Sequence, residues 1–249
     1  MIDPRFEREV MLIGREAVEC LATKRVALFG LGGVGSYAAE ALARSGVGHL
    51  VLVDHDTVSV SNINRQLCAT EETVGRSKVA VTAARLRTIN PAIVIEEREE
   101  FFLPETASAF DFSSYDYVID AIDTVAGKIA IARCAAEAGV PMISCMGTGN
   151  KLDPSALRVT DLAKTSVCPL ARVMRRELKA YGIVHLPVVY SEELPRKPLF
   201  SPASADKKNT PASIAFVPSV AGLLAAAEAI KCLVDVTGET EQEKERANG

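Results

Sequence analysis

The stretch Ala27-Leu28-Phe29-Gly30-Leu31-Gly32-Gly33-Val34-Gly35-Ser36 decides the fold. An apolar strand runs into G-x-G-x-x-G and then into a helix, which sets backbone N–H groups and a helix N-terminus against the phosphates of a nucleotide. Each spaced glycine answers a steric need: Gly30 the tight turn, Gly32 the approach of backbone to a phosphate, Gly35 the close packing of helix on strand. The next apolar run, Leu50-Val51-Leu52-Val53, ends in Asp54, where a ribose hydroxyl would be met. This fingerprint fits NAD enzymes, flavoenzymes and ATP users alike, so the residues beyond Asp54 have to choose among them.

Outward from the glycine loop, residues 25–29, 49–54, 92–95, 117–121 and 141–145 read as strands. Helical composition fills 33–45, 76–89 and 125–138, closed by Gly46, by Asn90-Pro91 and by Gly139. Strands alternating with helices imply an α/β, Rossmann-like fold: a mainly parallel sheet covered on both faces, with ligand at the carboxyl ends of its strands. Beyond Gly149 the pattern changes to a strand at 156–160, a helix at 169–181 and a strand at 186–190, which read as an added C-terminal subdomain. The expected organisation is one domain over 1–236, with its core at 20–149 and the subdomain at 150–236. Residues 194–211, rich in proline and lysine, read as a mobile loop, and 237–249 as a disordered charged tail.

Bulk properties narrow the class. The 249 residues are 48% hydrophobic, enough to bury a sizeable core. Cysteines at 20, 68, 134, 145, 168 and 232 form no C-x-x-C pair and are joined by only 3 histidines, so neither structural zinc nor disulfides are expected. The charged start, Met1-Ile2-Asp3-Pro4-Arg5-Phe6-Glu7-Arg8, lacks the apolar core of a signal peptide and points to a reducing cytoplasm. The apolar stretch 214–234 is broken by Pro218, Glu228 and Lys231; it reads as a buried helix rather than a transmembrane segment, with peripheral membrane contact left open. A net charge of −4 argues against nucleic-acid binding through the whole surface and leaves room for a local basic patch.

The chemistry lies between the second strand and the fifth. Ser61-Asn62-Ile63-Asn64-Arg65-Gln66 is followed by Lys78 near a helix start, and the fourth strand ends in Asp120-Ala121-Ile122-Asp123-Thr124. Neutral and cationic donors beside a glycine loop suit a triphosphate, and the helix start adds a favourable dipole. An ordinary NAD site needs none of this. Arg65 and Lys78 are expected to stand outside the core. A carboxylate at a strand's carboxyl end can hold Mg²⁺ on phosphates; Asp123 is assigned that role, and Asp120 is expected to end the strand or cap the next helix.

In this order, Gly-x-Gly-Gly-x-Gly, Asp54, Asn62-x-x-Arg65-Gln66, Lys78 and Asp120-x-x-Asp123 resemble the ThiF-type adenylating fold, kin to ubiquitin-activating enzymes. Within it, Asp161-Leu162-Ala163-Lys164-Thr165, Pro169-Leu170-Ala171 and Val189-Tyr190-Ser191-Glu192-Glu193 resemble the tRNA threonylcarbamoyladenosine dehydratase group, over nearly the whole chain. The resemblance implies a ligase-type enzyme that adenylates the carboxylate of threonylcarbamoyladenosine beside the tRNA anticodon and then closes it into a ring, with net loss of water. It implies ATP and Mg²⁺ as cofactors. It also implies that Gly30, Gly32, Gly33, Gly35, Asp54, Asn62, Arg65, Gln66 and Lys78 bind the nucleotide and that Asp123 takes the metal. Arg8 matches the family arginine that reaches into a partner subunit's site, so a homodimer is implied. A monovalent cation and a sulfur-transfer partner protein are compatible with it.

Several readings stay open at this level. Arg172, Arg175, Arg176 and Lys179 share one face of a helix whose other face carries Leu170, Met174, Leu178 and Tyr181. That basic face is either an ordinary solvated surface or a contact for tRNA phosphates. Cys145 and Cys168 read as structural thiols; the resemblance implies a cysteine just before Val188-Val189 or near Ile214-Ala215 in those relatives that use one, and neither segment carries one here. His185 reads as a surface or strand-end residue, and His55, next to Asp54, as a packing residue or a neighbour of the nucleotide. The rival functions are an activating enzyme for a ubiquitin-like or sulfur-carrier protein, a nucleotide-dependent tRNA scaffold without turnover, and hydride transfer from NAD.

Overall fold

The structure, a computed structural model, describes residues 3–200 and 211–234. Seven strands make one sheet: β1 (Arg25–Phe29), β2 (His49–Val53), β3 (Val94–Arg98), β4 (Tyr117–Asp120), β5 (Met142–Cys145), β6 (Leu157–Asp161) and β7 (Pro187–Ser191), in the order β3-β2-β1-β4-β5-β7-β6. All neighbours run parallel except β6, which is antiparallel to β7. Phe29 pairs with Val53 on one side and Asp120 on the other. The central three strands therefore end level, and the loops after them leave the same edge side by side.

Among the described residues seven α-helices flank the sheet: α1 (Glu7–Ile13), α2 (Arg15–Leu21), α3 (Gly35–Arg44), α4 (Lys78–Ile89), α5 (Val125–Ala138), α6 (Pro169–Lys179) and α7 (Phe216–Leu233). Alternation along β1 assigns its residues to two cores. Val26 and Leu28 pack with α3, α4 and α7, while Ala27 and Phe29 pack with α5, α6 and a cluster of Phe102, Phe110, Phe112 and Tyr115. Because both faces are buried, the central strands read as unbroken apolar runs. Helix α7 is long and apolar enough to cross a membrane by composition, yet Val217, Ala221, Ala225, Ala226 and Ala229 are fully buried in the core. At Gly222 an added Cβ would fall 2.2 Å from the Val34 carbonyl oxygen, so α7 lies almost in backbone contact with the start of α3.

Three elements depart from the sequence reading. The strand expected at 92–95 lies at Val94–Arg98, because β3 is the sheet's edge and carries its charges outward. Glu96 and Glu97 pair there with Arg25, Arg98 and Arg87. The N-terminal pair α1 and α2, broken at Gly14 with φ 85°, had no periodic signal to announce it. The C-terminal strands β6 and β7 extend the same sheet, and α6 packs with α5. The expectations for the interior of the 194–211 loop and for the tail lie outside the described residues.

Candidate active site

A cleft of about 700 Å³ opens along the carboxyl edge of β2, β1, β4 and β5. At its centre the glycines divide the work by space. Gly30 has φ +90°, and a Cβ there would stand 2.8 Å from the Ala121 carbonyl, so the turn has to pass flush against the end of β4. A Cβ at Gly35 would fall 1.7 Å from the Gly30 oxygen, and one at Gly33 would meet Pro218 at 3.1 Å. Gly32 meets nothing nearer than Gln66 Nε2 at 3.8 Å, so it is the point where a ligand can reach bare backbone.

Asp54 closes the loop from the side: its Oδ2 accepts from Leu31 N–H at 2.6 Å and its Oδ1 from Asp56 N–H at 2.9 Å. Lys78 is the first residue of α4, whose N-cap Ser77 accepts from Ala80 N–H. Contrary to the expectation that it stands outside the core, its side chain is 5% exposed, and Nζ lies 2.7 Å from Oδ2 of Asp56, which is 49% exposed. The buried inner face of the helix begins at this residue and carries the lysine with it. Arg65 is half-buried and its Nη1 donates to Ser61 O and Asn64 Oδ1, each at 2.9 Å. Asn62 Oδ1 accepts from Ser59 N–H, which fixes the amide beside the cleft. Gln66 is buried, and its Oε1 has no hydrogen-bond partner among the described residues.

The end of β4 carries a sealed counterpart. Asp120 and Lys128 are both 0% exposed; Lys128 Nζ donates to Asp120 Oδ2 at 2.9 Å, and Ser144 Oγ donates to the same oxygen. Asp120 Oδ1 accepts from Ile122 N–H at 3.2 Å and so shapes the turn that presents Asp123. Asp120 does not cap α5, whose N-cap is Thr124. Asp123 is exposed on the cleft. His55 also lines it, edge-on to Phe101 with ring centroids 4.2 Å apart, and its Nε2 lies 3.2 Å from Asp56.

The six cysteines are free. Cys145 forms part of the cleft floor, but burial pushes its thiol up to about 12, which keeps it protonated.

The remaining expected residues lie away from the cleft. Arg8 is exposed on α1 and does not line the cleft of its own chain. On α6, Arg172, Arg176 and Lys179 are exposed, with Arg176 held to Glu177. Arg175 leaves that outward set: its Nη1 donates to Leu162 O and to the carbonyl and hydroxyl of Thr165, pinning the turn after β6 onto α6. Asp161 caps that turn through Ala163 N–H and meets His185 Nδ1 at 3.0 Å, while Lys164 points to solvent. Sequence reasoning missed Asp56, although it stands two residues after Asp54. It also missed Lys128, a lone lysine in an alanine-rich helix that reads as solvated.

Comparison with known proteins bears on this geometry. The ThiF family model matches residues 6–248. The tRNA threonylcarbamoyladenosine dehydratase of Bacillus subtilis (strain 168) is 43% identical over 230 residues, covering 88% of this chain and 91% of that protein. Its namesake from Escherichia coli (strain K12) is 41% identical over 181 residues, 72% of this chain and 68% of that one. The crystal structure of E. coli tRNA N6-threonylcarbamoyladenosine dehydratase, TcdA, in complex with ATP matches with a TM-score of 0.86 at 34% identity, covering 95% of this chain and 96% of that chain. With nearly its whole length matched and a relative of this identity covered almost end to end, the chain belongs to the ThiF family.

Proposed function

We propose that the chain is an ATP-dependent tRNA threonylcarbamoyladenosine dehydratase. The observation that carries the reading is a single cleft in which a bare-backbone glycine loop, Arg65 and Lys78 meet Asp123, while Cys145, the one thiol that lines it among the described residues, is sealed and protonated. Such a site suits phosphorus chemistry and does not offer a thioester. The substrate's carboxylate attacks the α-phosphorus of ATP, pyrophosphate leaves, and an acyl adenylate remains. The ureido group of the same nucleoside then closes onto the activated carbonyl and expels AMP, which carries off the oxygen of the lost water. Positioning and charge neutralisation supply most of the help that either step needs.

Gly32 and Gly33 face the phosphates, held in place by Gly30 and Gly35, and Asp54 serves the ribose with the lone pairs its loop contacts leave over. Asn62, Gln66 and Arg65 donate to the triphosphate. Lys78 joins them by exchanging its half-exposed partner Asp56 for a phosphate. The exposed carboxylate of Asp123 is an oxygen donor of the kind Mg²⁺ accepts alongside phosphate oxygens and water, and it would hold the ion. Bound there, the ion would offset phosphate charge.

The cleft is completed by a second copy. Arg8 stands on α1 beside Met11 and Leu12, exposed by 82% and 84%, an apolar surface that a twofold partner would cover. Each site would then receive Arg8 of the partner subunit. Arg172, Arg176 and Lys179 give the tRNA backbone a cationic face, from which Arg175 is withdrawn. The reading places the enzyme with its tRNA in the cytoplasm and requires neither a sulfur-transfer partner nor a monovalent cation. Exchange of labelled pyrophosphate into ATP tests it: exchange should depend on threonylcarbamoylated tRNA and vanish with unmodified tRNA. Exchange driven by a small protein's carboxyl terminus instead would transfer the site to protein activation.

A further inference from the structure

Asn150 gathers separate pieces of backbone at the rim of the cleft. Its φ is 61°, in the left-handed region that asparagine tolerates better than most residues with a side chain. From that conformation its N–H donates to Ala212 O at 2.7 Å, its Oδ1 accepts from Ala212 N–H at 2.8 Å, and its carbonyl accepts from Arg196 N–H at 2.8 Å. One residue thus holds Arg196 and Ala212, two points of the chain far apart in sequence, at a single place. Its neighbour Gly149 lies so close to Pro211 that an added Cβ would stand 2.7 Å from the proline Cβ. On the far side of Ala212, the Ser213 carbonyl accepts from Asn64 Nδ2 at 3.1 Å. Gly147, Thr148, Gly149, Pro211 and Ser213 line the cleft where β5 ends, on the other side of β4 from the glycine loop.

We propose that Asn150 is a positioning residue for the carboxylate-bearing substrate: its clasp sets Pro211-Ala212-Ser213 as the wall against which the acceptor seats. This rests on the acyl-adenylation reading above. The glycine loop, Asp54 and Lys78 are held by bonds of their own, none of which involves Asn150. Arg65 reaches the wall only at second hand, through Asn64 and the Ser213 carbonyl, and keeps its own bond to the Ser61 carbonyl; loss of the clasp should therefore act on the acceptor far more than on the nucleotide. An asparagine that only closed a loop would lower stability without separating the two substrates.

Three variants separate these roles. Asn150→Ala removes the Oδ1 acceptor and disfavours the backbone conformation; Asn150→Gly removes the acceptor and keeps the conformation accessible. Asn150→Asp retains both. Loss of one hydrogen bond that orders the wall should raise KM for threonylcarbamoylated tRNA about five- to tenfold in the Ala and Gly variants. The KM for ATP and the calorimetric affinity for ATP should stay close to wild-type values, and Asn150→Asp should restore the tRNA KM. Amide exchange at Ala212 should quicken in the Ala and Gly variants and not in the Asp variant. An unchanged tRNA KM in a folded Asn150→Gly enzyme, or an equal rise in both KM values, would overturn the role of Asn150 alone. Wild-type protein that binds ATP yet never turns over modified tRNA would overturn the acyl-adenylation reading, and this role with it.

Discussion

At the end of β2 the chain reads Asp54-His55-Asp56, and at the end of β4 it reads Asp120-Ala121-Ile122-Asp123; each corner has two carboxylates and one buried lysine. In both, the first aspartate accepts a backbone N–H and shapes the loop, Asp54 from Leu31 and Asp120 from Ile122. The lysines differ in which aspartate they meet. Lys128 pairs with the first aspartate of its corner, out of reach of solvent, and leaves Asp123 outside. Lys78 pairs with the second, Asp56, to which water has access. A sealed ion pair has no competitor for either partner and acts as structure. A half-open pair can trade its carboxylate for a phosphate at small cost, because the released aspartate returns to water.

The sharpest way to break this contrast is to remove each lysine. Lys128→Met should leave Asp120 buried without a counter-charge and lower unfolding free energy by about 3–5 kcal/mol, read by urea denaturation. Lys78→Ala should weigh on catalysis instead: adenylate formation falls about 10²- to 10³-fold, roughly 2.7–4 kcal/mol of transition-state stabilisation, while stability falls less than in Lys128→Met, because Asp56 returns to water and only the packing of the lysine stem is lost. Arg65→Ala should behave like Lys78→Ala. Equal losses of stability at the two lysines would end the distinction.

Parts of this contrast were legible in the sequence. The glycine loop and the strands beside it announce themselves because both faces of the sheet are covered, so apolar runs and steric gaps leave direct marks. The position of Lys78 at a helix start could be read, but not its burial, since a helix-initial lysine gives no sign of which way its stem lies. Lys128 was invisible for a related reason: its partner Asp120 belongs to a strand, and pairing between elements leaves no periodicity. The place of β3 is hidden from a search for apolar runs, because an edge strand carries charge. Arg175 sits at the same helical spacing as Arg172 and Lys179, and only the fold shows that the turn at Thr165 claims it.

In the proposed function Asp123, not Asp120, serves the nucleotide, and a subunit-mixing experiment tests that role. Arg8→Ala and Asp123→Ala should each be inactive alone. Random re-pairing makes about half the dimers mixed, each with one intact site of two, so activity should return to about a quarter of wild type. Subunit exchange is confirmed with two differently tagged chains. Mixed dimers that form and stay inactive would remove Arg8 from the partner's site.

The smallest effect is expected at Cys145, which adjoins Ser144 in the sealed corner. With its thiol pushed up to about 12 by burial, it stays neutral at mildly alkaline pH, so iodoacetamide should spare it and react at exposed Cys232. Turnover should survive that treatment. Rapid alkylation of Cys145 would show that the β4 side of the cleft is as open as the β2 side.

On the proposed function this cleft removes water from a carboxylate-bearing tRNA nucleoside at the expense of ATP. Mass spectrometry of nucleosides, after incubation of the purified protein with Mg-ATP and threonylcarbamoylated tRNA, tests it most directly. A modified adenosine lighter by one water is expected in the wild-type reaction, with the nucleoside unchanged when Lys78→Ala replaces it. A nucleoside of unchanged mass in the wild-type reaction would refute the proposed function.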